Sequence, residues 1–408
     1  MKLLIVTTFY PSYIRDFYAK HPGLAELSFF EQKAALDFDA FGWADYWSHA
    51  LAPLGYDVLE VSHNVEQMQR AWAKENSLPD PAGIDIKEIA LAQARKFRPD
   101  VLWFDDDNED LLERVRTNVS SIKLVMGWIG SAVPQSTLWK KIDLILSCAP
   151  ESVDYFSKQG LSATHINHGF DPRVNERLIQ RDKTIDFSFI GQLLRFSNFH
   201  LKRCQILEKL SSRVPVSIFS PSEDIVWTKV DDARTQAMAT AFEIIRMFRP
   251  LGVPNKIFRH LPIFKNVINF TEKPFSPVSL KLKPFIRPAV FGLAMFQVLR
   301  DSRVTLNIHA DSSPLFASNM RLFETTGVGT CMVVDWKKNL HELFEEDKEI
   351  VTYKTVKECV DKVLWLLNHP NEREEIARAG QMRTLKEHTF DHRAQQLDNI
   401  IKNRMSNL

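Results

Sequence analysis

Along the first 170 residues, short apolar runs alternate with single helical patterns, and nothing else in the chain constrains the fold as strongly. The runs at 2–8, 57–62, 100–104, 122–128, 142–147 and 164–167 are rich in Val, Ile, Leu and aromatic residues. Helical periodicity separates them at 41–54, 84–96, 110–117 and 152–159, with Gly55 and Gly160 as stop signals. A strand that reads as one continuous apolar run is buried on both faces, and a one-helix crossover joins parallel strands. The expectation is a parallel sheet with helices on both sides.

The pattern breaks at His168-Gly169-Phe170-Asp171-Pro172 and a charged segment to about 184, then restarts. Strands are predicted at 186–190, 214–219, 304–307, 331–334 and 350–353, and helices at 199–210, 356–368, 372–387 and 393–405. A chain of 408 residues is too long for one ordinary core. The expected division is a Rossmann-like domain at 1–175, a second at 176–390, and a helix at 391–408 that crosses back to the first. Residues 220–300 fit no α/β repeat and read as an insertion. From 242 to 299 there are nine Lys or Arg against two Glu, so 9 − 2 = +7, together with nine Phe. Such a segment suits a membrane surface or a phosphorylated, lipid-linked acceptor; a helix and loop with a solvated basic face is the plain alternative.

The whole chain carries a formal charge of only +1, which argues against nucleic acid as a partner. Cys148, Cys204, Cys331 and Cys359 have no metal-ligand spacing and read as small buried hydrophobes in a reducing compartment. The N-terminus reads as a strand and not as a signal peptide, and no apolar window is long enough to span a membrane. A cytoplasmic location follows, with peripheral contact at the inner face of the membrane through 242–299.

Residues 318–335 carry the chemistry. Met320-Arg321-Leu322-Phe323-Glu324 reads as helix, Gly327-Val328-Gly329 as a turn, and Met332-Val333-Val334 as a buried strand. Arg321 and Glu324 stand at i and i+3 and share a face. A guanidinium can clamp a phosphate and a carboxylate can accept hydrogen bonds from hydroxyls, as a sugar nucleotide requires. An ordinary surface ion pair has the same spacing.

The run Asn319-Met320-Arg321-Leu322-Phe323-Glu324, with Thr326-Gly327-Val328-Gly329-Thr330 and Asp335-Trp336, resembles the C-terminal donor-site motif of group 1 glycosyltransferases, and most of all their CgeB-like branch. The likeness continues through Asn339-Leu340-His341-Glu342-Leu343-Phe344 to Arg378-Ala379-Gly380, is strongest over 300–395 and weaker from 1 to 200. It implies a GT-B fold, two Rossmann-like domains facing across a cleft, with the basic aromatic insertion in the second. It also implies that Glu324 holds the nucleotide ribose and that Thr326, Gly327 and Val328 touch ribose or base through their backbone. The first glutamate of the family's pair would fall at Ala317, a departure that leaves retaining or inverting stereochemistry open.

Further candidates lie just after strands, where doubly wound sheets bind ligands. Gly191 and Gln192 end one strand, with Arg195 and Lys202 nearby as cations for a diphosphate; a simple turn is the alternative. Asn307 and His309 follow another strand in a loop that includes Asp311, and the resemblance sets this loop beside the donor sugar. Asp105-Asp106-Asp107 close a first-half strand, and Asp106 is a candidate base for the acceptor hydroxyl, although capping the next helix explains such residues equally well. His63 and His168 are alternative bases. The long 8–45 connection, with Tyr10, Tyr13, Arg15, His21, Asp39, Trp43 and Asp45, reads as an acceptor-binding loop.

The expected activity is metal-independent glycosyl transfer from a nucleotide-sugar co-substrate to a hydroxyl of a glycan, lipid-linked or other acceptor. The donor set is Gly191, Gln192, Arg195, Asn307, His309, Asn319, Arg321, Leu322, Glu324, Thr326 and Gly327, with His309, Asp106 and His63 as catalytic candidates and no cofactor or metal. A nucleotide-sugar epimerase or hydrolase, or a structural protein that kept the fold without the chemistry, are the rival readings.

Overall fold

The computed structural model describes residues 1–130, 133–195, 200–251, 254–309 and 313–406. The chain forms two six-stranded sheets, and every strand pair in both is parallel. The first contains β1 (Lys2–Thr7), β2 (Asp57–Ser62), β3 (Val101–Phe104), β4 (Leu124–Ile129), β5 (Leu144–Ser147) and β6 (Ala163–His165), ordered β2-β1-β3-β4-β5-β6. The second contains β7 (Ile185–Ile190), β8 (Val216–Phe219), β9 (Ile286–Arg287), β10 (Ser302–Asn307), β11 (Cys331–Asp335) and β12 (Val351–Tyr353), ordered β12-β11-β10-β7-β8-β9. The direction of winding reverses between β1 and β3 in the first sheet and between β7 and β10 in the second. Ligands enter doubly wound sheets at such reversals, beyond the carboxyl ends of the strands.

Alternation along each strand explains the apolar runs. Leu3 and Ile5 of β1 join one core with Val101 and Trp103, while Leu4 and Val6 join another with Leu102 and Phe104 on the opposite face. In β11, Met332 and Val334 pack toward the first sheet's core cluster, and Cys331 and Val333 pack the other way. Burial of both faces removes the polar-out positions of a half-exposed sheet.

The helix Phe390–Met405 lies against the helix Tyr46–Leu51 of the first half. Phe390 packs on Tyr46 and Trp47 at ring distances of 4.9 and 5.1 Å, and Tyr56 donates a 2.8 Å hydrogen bond to Asp398. The connection between the sheets is held there too, since Phe170 and Thr389 form a parallel bridge.

Several sequence expectations are corrected. The 8–45 connection is not a loop: it contains the helices Pro11–Lys20 and Phe29–Asp39, which share a core of Tyr13, Phe17 and Leu36. Its start signals were in the sequence, Pro11 at the first helical turn and a Ser28/Glu31 capping box. The predicted helix at 41–54 begins only at Tyr46, because Ala40, Gly42 and Ala44 all have positive φ and turn the chain sharply. The helix Glu66–Glu75 was not anticipated. Residues 286–301 rejoin the α/β repeat as β9 and the helix Gly292–Asp301, a return hidden by a strand of two residues and by Pro288. Between them and β8 stands the helix Lys229–Phe248, with a small core of its own around Phe242, Phe258 and Val267. No described helix is long and apolar enough to cross a membrane.

Candidate active site between the two sheets

A cavity of about 910 Å³ opens where the two winding reversals face each other. Thr7 and Asp105, at the ends of β1 and β3, line one wall; Ile190, Gly191, Asn307 and Ile308, at the ends of β7 and β10, line the other. Two ties between the halves frame it. Asp39 accepts from the backbone of Leu293 at the start of the helix Gly292–Asp301. A Cβ on Gly292 would lie 2.2 Å from the Asp39 carboxylate, so only glycine permits this approach. Glu151 accepts from the backbone N–H groups of Leu315 and Phe316 at 2.9 and 3.0 Å.

On the second wall, Arg321 and Glu324 stand on the helix Arg321–Gly327 with a 3.0 Å ion pair, and both face the cavity. Burial raises the Glu324 carboxyl and the Arg321 guanidinium works against that rise. Asn319 and Asn307 also line the cavity, and their side-chain amides exchange two hydrogen bonds of 3.0 and 2.7 Å. That pair ties the start of the helix Arg321–Gly327 to the end of β10.

Other predicted donor residues lie elsewhere. Leu322 is in the core, and the Thr326 hydroxyl bonds the Leu322 carbonyl at 2.8 Å and Thr384 at 2.6 Å. Gly327 packs on Phe170 so closely that a Cβ would lie 2.4 Å from its ring. None of these three donor candidates lines the cavity, and the side chains of Leu322 and Thr326 are engaged on the far side of the helix. Gln192 uses its side-chain oxygen to accept from the Leu193 and Leu194 N–H groups, each at 2.9 Å, and from Ser222. Arg195 is drawn away to the carbonyl of Val278 at 2.8 Å. Lys202 is exposed and is not part of the lining.

The cation that does reach the crevice is Arg203, in the first turn of the helix Leu201–Ser211 after β7. It donates to the carbonyls of Gln192 and Ile308 at 2.8 and 3.0 Å, bridging the ends of β7 and β10. Sequence reasoning stopped one residue short of it. The available signal was its place in the turn where a Rossmann helix meets its ligand.

His309 is buried behind this wall and does not line the cavity. Its backbone N–H and its Nδ1 meet Asp335 Oδ1 at 2.9 and 2.8 Å. Burial works to raise the Asp335 carboxyl, but His309 and Lys337 prevail and hold it down at about 2. Lys337 in turn donates to the carbonyls of Ser313 and Pro314, and Asn339 brackets the backbone of Ala317 with bonds of 2.7 and 3.1 Å. His309 therefore supports the segment leading into the helix Arg321–Gly327, and its ring does not reach the cavity as a donor-site or catalytic group would. Asp311 lies outside the described residues.

On the first wall, Asp105, Asp106 and Asp107 all line the cavity. His63 Nε2 is hydrogen bonded to Asp106, and His63 itself is not in the lining. Burial opposes ionisation of Asp106, yet the His63 contact outweighs it and the carboxyl stays below the usual range. Asp105 is the opposite case. Burial and, to a smaller extent, the adjacent Asp106 charge push its carboxyl up to about 7, against a 3.0 Å hydrogen bond from Thr7. Of the predicted bases, Asp106 lines the cavity beside Asp105, and His63 reaches it only through Asp106. His168 lines the cavity as well, but burial and the Arg393 charge pull its pKa down to about 3.

Residues 280–399 match a family model described as glycosyl transferase-like. The whole chain is similar in fold to sucrose-phosphate synthase from Thermosynechococcus elongatus, at 9% identity and a TM-score of 0.52 with all of both chains covered. AviGT4, a glycosyltransferase involved in avilamycin A biosynthesis, is similar at 12% identity and a TM-score of 0.52, covering 100% of this chain and 99% of its own. The protein has the GT-B fold. Anabaena HepE, solved in complex with UDP and glucose, is similar at 13% identity and a TM-score of 0.50, covering 99% of this chain and 100% of its own. No curated protein sequence matches the chain. The glycosyl transferase-like region holds the helix Arg321–Gly327, β10, β11 and the support built on Asp335, while Ile190, Gly191 and Arg203 of the same wall lie outside it.

Proposed function

We propose that this GT-B protein is a metal-independent glycosyltransferase, related to the CgeB-like branch, that moves a sugar from a nucleotide-sugar donor to a hydroxyl of a glycan, lipid-linked or other acceptor. One observation carries the reading: a single cavity has Arg203, Arg321 and Glu324 on one wall and the Asp105 carboxylate on the other. The guanidinium groups stabilise charge on the departing diphosphate, the role a metal ion fills elsewhere. Glu324 accepts from donor hydroxyls, and Asp105 takes the acceptor's proton. HepE binds UDP and glucose in a chain of the same fold, which supports the choice of a nucleotide sugar. A thermal-shift screen with UDP-, GDP-, dTDP- and CMP-sugars tests it. One of them should stabilise the protein and release its nucleotide only when an acceptor is present; no shift with any of them rejects the proposal.

A second reading, a non-catalytic relative, is favoured by Ala317. It is fully buried and enclosed by Asn339, so no carboxylate stands where the family's first glutamate would. Such a protein would bind the donor without turnover.

The base assignment has its own pH signature. A carboxyl raised to about 7 is protonated below that pH, so kcat/KM should fall as pH drops through 7. Asp105→Asn should remove this limb and lower the rate about 10²- to 10⁴-fold. Glu60, raised to about 7 chiefly by burial, is the control: Glu60→Gln should keep the limb. A limb that survives in Asp105→Asn rules Asp105 out.

Membrane contact through 242–299 belongs to the same proposal. Met247, Phe248, Ile257, Leu261 and Ile263 are exposed beside the exposed Arg246, Arg249, Arg259 and Lys265. Exposed apolar groups and cations within one segment suit anionic lipid. The protein should float with vesicles containing phosphatidylserine and remain below those of phosphatidylcholine alone; equal behaviour with both counts against it.

A further inference from the structure

The acceptor wall has a composition of its own. Trp43 and Trp128 line the cavity with ring centroids 5.1 Å apart, and Trp43 rests on Trp47 and Trp103 at 6.0 and 5.1 Å. The charged groups on the same wall are Asp37, Glu60, Asp105, Asp106, Asp107 and Lys33. Lys33 is already taken by Asp37 at 2.8 Å and Glu60 at 3.4 Å. His168 is the remaining ionisable group facing Trp128, and its lowered pKa keeps it neutral. All cationic guanidinium groups in the lining, Arg203 and Arg321, belong to the opposite wall.

Two polar atoms on this wall are buried without a partner: Nε1 of Trp47, a residue 1% exposed, and Nδ1 of His168, 7% exposed. Neither feature is explained by the donor. A buried polar atom without a partner is costly, and a ligand hydroxyl can both accept from an indole N–H and donate to an imidazole nitrogen.

Resting on the glycosyltransferase reading above, we infer that the acceptor subsite takes an uncharged carbohydrate ring, with its C–H face on Trp43, its edge against Trp128, whose plane stands at 79° to that of Trp43, and its hydroxyls toward Asp105 and His168, and that it rejects phosphorylated sugars. An aromatic face attracts the slightly positive C–H groups of a sugar ring. Carboxylates accept strongly from hydroxyls but repel a phosphate, and the low dielectric of a closed cavity enlarges that repulsion. The acceptor wall thereby excludes the charge type that the donor wall is built to hold, which keeps the nucleotide diphosphate from binding backwards.

The test is a titration followed by tryptophan emission in the presence of saturating UDP, or of GDP, dTDP or CMP where that nucleotide's sugar gives the thermal shift, using methyl glycosides of common hexoses and the matching hexose 6-phosphates. At least one neutral glycoside should bind about tenfold or more tightly than its 6-phosphate, a difference of about 1.4 kcal/mol. Trp43→Ala should weaken that binding about tenfold while UDP affinity stays within about twofold. Trp43→Phe, which keeps an aromatic face and the packing, should retain most of it. Asp107→Lys, at an exposed rim position, should narrow the preference against the 6-phosphate. The inference is overturned if no neutral glycoside outbinds its 6-phosphate, or if Trp43→Ala leaves neutral binding unchanged. Failure of UDP, GDP, dTDP and CMP alike to bind would instead reject the donor assignment, so the two outcomes are distinguishable.

Discussion

Arg321→Ala should weaken nucleotide-sugar binding about 10²- to 10³-fold, the cost of losing one well-placed charge-stabilising group. Two effects add. The first is the direct loss of a guanidinium facing a diphosphate. The second acts through Glu324, which is buried and has Arg321 as its ion-pair partner at 3.0 Å. Burial already raises the Glu324 carboxyl, and removing Arg321 removes the charge that opposes that rise, which further disfavours the ionised form that accepts most strongly. Glu324→Ala should cost less, about tenfold, because the freed guanidinium still meets the phosphates. The double variant should lose less than the sum, since the residues share one interaction. Calorimetric titration of the three variants with the donor found in the screen decides the matter; unchanged affinity in both single variants would refute the site.

Asp335→Asn should lower unfolding stability by about 3–5 kcal/mol at pH 7, the usual result of stranding one partner of a buried ion pair. The stranded groups are Lys337, 7% exposed, and the fully buried His309 ring. The pH dependence has a definite sign. The carboxyl is depressed to about 2, so its stabilisation is fully present above the unfolded carboxylate pKa of about 4 and disappears as pH falls through 2. Urea melts of the two proteins should therefore differ most at neutral pH and converge in strong acid. A gap that persists at pH 2 would show that shape and not charge accounts for the loss. The segment 313–319 hangs on Lys337 and Asn339, so the variant should also bind donor more weakly.

The strands were legible because a two-faced core leaves continuous apolar runs, and that record is local. Boundaries at 57–62 and 356–368 match the observed elements residue for residue. The helices Pro11–Lys20 and Phe29–Asp39 were missed although both carried start signals, since the aromatic residues that bury them also suit a binding loop. In the site, the i,i+3 spacing of Arg321 and Glu324 could be read directly. That Leu322 and Thr326, on the same short helix, turn away could not, because the helix's rotation is set by Phe170 and Thr384 from distant parts of the chain.

Residue order alone determined the alternation of strand and helix, the parallel sheets that follow from it, and the pairing of a guanidinium with a carboxylate on one helical face. All three depend on neighbours within a few residues, where backbone geometry dictates who meets whom. Only the tertiary structure decided that Arg203 and not Arg195 enters the crevice, that His309 works behind the wall, and that of Asp105 and Asp106 it is Asp105 whose pKa is raised. Those outcomes depend on which atoms are removed from water when two sheets close on each other, and no stretch of sequence contains both sides of that contact.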